Sequence, residues 1–77
     1  MLRKREQIKV MVTKYSLTYV WLCRQLNKLG FELTPAELCL YVAGRRRNAN
    51  AEGILDASLF ILDLYEKNFE EKEKSPD

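Results

Sequence analysis

Apolar residues recur at helical spacing along most of this chain. Ile8, Met11, Val12 and Tyr15 fall at i, i+3, i+4 and i+7, the stripe of one helix face, and the Lys/Arg-rich residues before Ile8 form its solvated first turns. This predicts helix one over residues 2–15. Ser16-Leu17-Thr18 then breaks the pattern, and the Thr18 hydroxyl is placed to cap a second helix. On that helix Leu22, Cys23, Leu26 and Leu29 make the expected buried face. Gly30 follows as a C′ residue able to take positive φ, with Phe31 as the apolar residue that packs back over the last turn.

Thr34-Pro35-Ala36-Glu37 is the clearest local signal. Thr sits at N-cap, Pro at N1 where its missing N–H costs nothing, and Glu at N3 where its carboxylate reaches back to the Thr34 N–H. Leu33 and Leu38 form a hydrophobic staple around that start, and helix three is expected to end at Ala43 before Gly44. Helix four begins near Asn48 or Asn50. Leu55, Ser58, Leu59, Leu62, Tyr65 and Phe69 lie on one face, with Ile54, Ala57, Ile61 and Leu64 broadening it. Gly53 weakens its first turns by about 1 kcal/mol relative to Ala. Residues 1–70 read as one domain and residues 71–77 as a charged, frayed tail. No alternation and no Asn-Gly or Asp-Gly turn marks a strand. The expected fold is all-α: a small four-helix domain joined by short connections.

Composition narrows the class. A chain of 77 residues, 47% hydrophobic and 31% charged, has one core and little stability to spare, yet lies outside the disordered class. No run approaches the length of a membrane span, and Met1 to Met11 is too charged to read as a signal peptide, so a cytoplasmic location and no membrane partner are expected. Cys23 and Cys39 each sit inside an apolar helical pattern, which reads as two buried thiols. Histidine is absent, removing the usual proton shuttle and the commonest zinc ligand, and neither a cofactor nor a metal is expected. Glycine-rich phosphate loops, CxxC pairs and HExxH are missing, and Asp56, Asp63 and Glu66 meet no converging acid–base partner. Neither catalysis nor a small-molecule substrate is expected.

The net charge of +2 hides an asymmetry. Residues 1–50 carry ten Lys/Arg against Glu6, Glu32 and Glu37, a balance of +7, whereas residues 51–77 carry three Lys against eight acids, a balance of −5. A basic front and an acidic back suit a protein that turns one face to a polyanion. The plain alternative is a solvated surface with uneven charges. Helices two and three are joined by "GFELT", the arrangement of a helix-turn-helix, and Arg45, Arg46 and Arg47 follow helix three directly. A recognition helix laid in a groove places its flanking loop beside the phosphate backbone. The eight aromatic residues are spread over the four helices at core spacing, so core filling explains them better than a stacking platform does, with Trp21 offset from the Leu22/Leu26/Leu29 face.

Three stretches resemble the small helix-turn-helix regulators of the phage-repressor and Cro class, most closely the short phage or mobile-element proteins of Gram-positive bacteria. "TYVWLCRQL" is similar to the family's helix-two pattern through Thr18, Leu22 and Cys23. "LTPAELCLYVAGRR" is similar to its turn and recognition helix, with buried positions at Leu38 and Tyr41 and Gly-Arg following. "AEGILDASLFILDLYEKNF" looks like the closing helix of the short subgroup. The resemblance implies a lambda-repressor-like fold, binding to double-stranded DNA, and homodimers. It departs from the family's pattern in a helix two about one turn longer and a connection about two residues longer.

On this reading Arg45, Arg46, Arg47, Lys28, Arg24, Arg3, Lys4 and Arg5 contact phosphates, while Pro35, Ala36, Glu37, Cys39 and Leu40 face the groove. None of those five is Arg, Lys, Asn or Gln, the side chains that make bidentate contacts to purine edges. Phe60, Ile61 and Leu64 are apolar residues left over from the helix-four face and are candidates for a dimer contact. The alternative is a non-catalytic protein-interaction module that docks through the apolar helix three and helix four.

Overall fold

The computed structural model describes residues 3–74, with side chains through residue 68. Four helices follow one another: α1 (Lys4–Lys14), α2 (Tyr19–Lys28), α3 (Pro35–Ala43) and α4 (Ala51–Lys74). α4 packs along α1, α2 and α3, and α3 also packs on α1 and α2, giving a small all-α bundle with the packing of a helix-turn-helix domain.

Local sequence sets the helix ends. The Thr18 hydroxyl accepts from the Trp21 N–H at 3.1 Å. The capping box of α3 is complete: the Glu37 N–H donates to the Thr34 hydroxyl at 3.2 Å, and the Thr34 N–H donates to Glu37 Oε1 at 2.9 Å. Three of the helices close in the same way, with a left-handed residue carrying a pair of reversed hydrogen bonds. At Gly44 (φ 78°) the bonds run from the Arg45 N–H to the Leu40 carbonyl and from the Gly44 N–H to that of Tyr41. Gly30 (φ 102°) repeats them through Phe31 to Leu26 and Gly30 to Asn27. At the end of α1 the left-handed residue is Ser16 (φ 55°), with Leu17 bonded back to Val12.

One core unites the bundle. Ile8 and Val12 enter it from α1, Leu22, Cys23 and Leu26 from α2, Leu38, Tyr41 and Val42 from α3, and Ile54, Leu55, Ile61 and Leu62 from α4. Ser58 is fully buried among them and donates its hydroxyl to the Ile54 carbonyl one turn earlier, at 2.7 Å, so the polar atom is satisfied inside its own helix. Tyr15 and Trp21 each meet the Tyr65 ring edge-on, with ring centroids 5.5 Å apart, so the offset Trp21 belongs to an aromatic corner between α1, α2 and α4.

Several expectations need correction. α4 starts at Ala51, beside the expected Asn50, but continues to Lys74, well past residue 70. The Glu/Lys-rich segment after Phe69 has good helix propensity, and charge by itself does not end a helix. The expected tail is therefore helical over residues 71–74, and residues 75–77 lie outside the described ones. Cys39 is exposed while Cys23 is buried. With Leu38, Tyr41 and Val42 turned inward, the rotation of about 100° per residue puts Cys39 outside the buried arc. Leu29 falls just past the end of α2 and stays 53% exposed, whereas Ile61 is only 9% exposed and belongs to the core. Of the three dimer candidates, Phe60 and Leu64 are exposed, and Ile61 lines the same groove while mostly buried.

Candidate nucleic-acid interface

The α2–α3 connection is held from below by Asn27. Its side-chain amide donates to the carbonyls of Phe31 at 2.8 Å and Leu33 at 3.3 Å, and the Cys23 thiol also donates to Leu33 at 3.2 Å. These bonds satisfy backbone that a six-residue link (residues 29–34) leaves outside any helix, and they fix where α3 starts. Burial pushes the Cys23 thiol above its ordinary value, and the nearby Glu37 carboxylate adds to the shift, so both disfavour the thiolate. At the other end of α3, the Asn48 amide donates to the Tyr41 hydroxyl at 3.0 Å while its carbonyl oxygen accepts from the Asn50 N–H at 3.0 Å. That pair anchors the arginine hinge between α3 and α4.

The basic residues divide into groups. Arg5 comes from α1, yet its guanidinium lies over Gly44, so close that a Cβ added there would collide with it. Thus Arg5 from the "RKR" of the first helix meets the glycine that opens the "RRR" hinge after the third. Arg3 is exposed at the N-cap of α1, and Arg45 and Arg47 are exposed on the hinge. Among the described residues no carboxylate pairs with Arg3, Arg5, Arg45 or Arg47. In the first turn of α1, Lys4 and Arg5 oppose the positive end of the helix dipole while Glu6 in the same turn favours it.

Two expected phosphate contacts are engaged within the chain. Lys4 leaves this corner for the acidic flank of α4, with its ammonium 2.7 Å from both Glu52 and Asp56, whose carboxylates hold its pKa well above the ordinary lysine value. Arg46 folds back along α3 to Glu37 at 2.9 Å and lies over the Tyr41 ring. Glu37 is held below the usual carboxylate range by the Thr34 N–H first and Arg46 second. It is thus a cap and an ion-pair partner on the flank of α3, not a free groove-facing acid. Both pairs are exposed, so each is weak and a phosphate can displace it. Lys28 sits elsewhere, at the rim of a groove of about 360 Å³ between α2 and α4 that Leu29, Phe60 and Leu64 also line. Arg24 is one turn earlier on the same side of α2.

On α3 the outward arc holds Ala36, Cys39 and Ala43, all exposed, and the half-buried Leu40. Pro35 is half-buried at the start of the helix. Tyr19, at the beginning of α2, borders this arc next to Cys39, and burial with that neighbour raises its phenol pKa. The outer face of α3 is therefore smooth and apolar, with Arg46 alongside it and the other hinge arginines at its C-terminal end.

Asn27, Asn48 and the Arg5–Gly44 contact escaped the sequence reading. An Asn in the last turn before Gly30 was the available signal for the first. Among the described residues no cluster of His, Cys, Asp or Glu is arranged to hold a metal ion, and no helix is long and apolar enough to cross a membrane. Comparison with protein-family models, with curated proteins and with solved structures gives no match to this chain.

Proposed function

We propose that this domain binds double-stranded DNA as a helix-turn-helix module and regulates transcription of phage or mobile-element genes, without catalysing a reaction. The observation that carries the reading is the corner where Arg5 lies over Gly44, at the base of Arg45 and Arg47 and at the C-terminal end of α3. Two segments far apart in sequence supply cations to one place, Arg5 from α1 and the hinge arginines after α3, and among the described residues no carboxylate pairs with Arg3 or Arg5. Such a corner fits a phosphate backbone flanking a groove-bound α3. The resemblance to phage-repressor regulators supplies the gene class.

A second copy is the proposed protein partner. Phe60 (57% exposed) and Leu64 (46% exposed) share the α2–α4 groove with Leu29, and pairing two such surfaces removes three large apolar side chains per copy from water. Sedimentation equilibrium on wild type and Phe60→Ser is the test. Self-association lost in the variant is expected, and a monomeric wild type at tens of micromolar overturns it.

The competing reading makes the apolar face of α3 a protein-docking surface. Leu40→Glu separates the two, because it sets a carboxylate on the face that a groove would surround with phosphates. Duplex affinity should fall while the unfolding midpoint holds. Unchanged affinity with the fold intact overturns the groove reading and favours protein docking.

A further inference from the structure

The outer face of α3 lacks the chemistry with which most recognition helices read bases. Leu38, Tyr41 and Val42 are buried, so the opposite arc is made of Ala36, Cys39, Leu40 and Ala43. The polar groups at its edge are already occupied: Glu37 accepts from the Thr34 N–H and Arg46, and the Thr34 hydroxyl accepts from the Glu37 N–H. What remains is a strip of methyl and methylene groups carrying one weak thiol donor. Two of its members are alanines, so the helix backbone can come close to whatever it meets.

A major groove offers one apolar feature to such a strip, the C5-methyl group of a pyrimidine. Building on the duplex-binding reading above, we propose that α3 recognises pyrimidine C5-methyl groups, those of thymine or of 5-methylcytosine, through Ala36, Cys39, Leu40 and Ala43. Hydrogen-bonding edges contribute little to its discrimination. Sequence preference then follows the positions of methyl groups along the groove, while the arginine corner sets orientation.

Methyl-matched duplexes test this directly. Labelled duplexes of about 20 base pairs, long enough for two half-sites one turn apart, are titrated by fluorescence anisotropy at low salt. One pair is alternating A·T with thymine against the same duplex with uracil, which lacks only the methyl. The other is alternating G·C with cytosine against 5-methylcytosine. In both pairs the methylated duplex is expected to bind about fourfold more tightly for each methyl buried, from roughly 0.8 kcal/mol per methyl-sized group. Because the pairs differ in base composition, agreement in sign sets aside a change in duplex shape. Leu40→Ala should reduce both ratios, and a variant that keeps full methyl discrimination overturns the assignment to this face. Equal affinities within each pair, with binding still weakened by salt, overturn methyl recognition and leave duplex binding standing. Absence of binding to all four duplexes overturns both.

Discussion

Replacing Gly44 by Ala asks two questions of one atom. The first is backbone strain: φ is 78°, and a Cβ in the left-handed region costs about 1–2 kcal/mol. The second is position, because the new Cβ would occupy the space of the Arg5 guanidinium. That guanidinium is the far end of a flexible side chain, so it moves away at little cost to stability but leaves the corner. Gly30→Ala is the matched control. Its φ of 102° lies further from the ordinary left-handed region, and nothing lies within 4 Å of the added Cβ. The two variants should therefore reverse their order. Gly30→Ala should lose as much stability as Gly44→Ala or more, whereas Gly44→Ala should lose more affinity for DNA. With one phosphate contact gone, the log–log salt slope should fall by about 0.9, which corresponds to a loss of up to about eightfold at 0.1 M salt relative to a 1 M reference. Denaturant midpoints give the first quantity and anisotropy at several salt concentrations the second. Equal duplex affinity and equal salt slope in the two variants would refute the role given to Arg5.

Three further outcomes concern the scaffold. Ser16→Gly should stabilise the domain by about 1 kcal/mol in thermal or chemical unfolding, since Ser16 is exposed and holds φ 55° at the end of α1, and a lower midpoint would show that its side chain contributes more than its backbone costs. Leu38→Ala, at a fully buried position, should cost about 2–5 kcal/mol, and a midpoint shift no larger than that of a surface substitution would remove α3 from the core. Glu37 has a depressed folded-state pKa, so its contribution is present above the unfolded-state value and is lost as pH falls through the lower folded value. Stability measured from neutral to acid pH should therefore drop less steeply in Glu37→Gln than in wild type, and identical acid limbs would mean that the capping box is not what lowers this pKa.

Local chemistry was legible in the sequence where it was self-contained. The Thr34–Glu37 box and the glycine closures at Gly30 and Gly44 each depend on residues within about six positions of one another, and each forms as expected. Ser16 escaped notice because serine carries no strong signal for positive φ. The end of α4 was misplaced because its charged residues are helix formers that also look like a solvated tail. Leu29 and Ile61 exchanged roles because helical periodicity marks an apolar residue without saying whether a neighbour covers it; Ile61 is covered in the core, while Leu29, just past the end of α2, is left exposed. Arg5 and Gly44 are far apart in the chain, so their meeting depends on how α1 docks on α3. Lys4 and Arg5 are adjacent in sequence and face different elements for the same reason.

The most direct measurement is the wild-type protein titrated onto a labelled duplex of about 20 base pairs over a range of salt concentrations. Arg3, Arg5, Arg45 and Arg47, which pair with no carboxylate among the described residues, set the expectation of a log–log slope of about −3 to −4 for each copy bound. Binding that is undetectable at the lowest salt, or whose slope is near zero, would contradict the assignment of the arginine corner to a phosphate backbone.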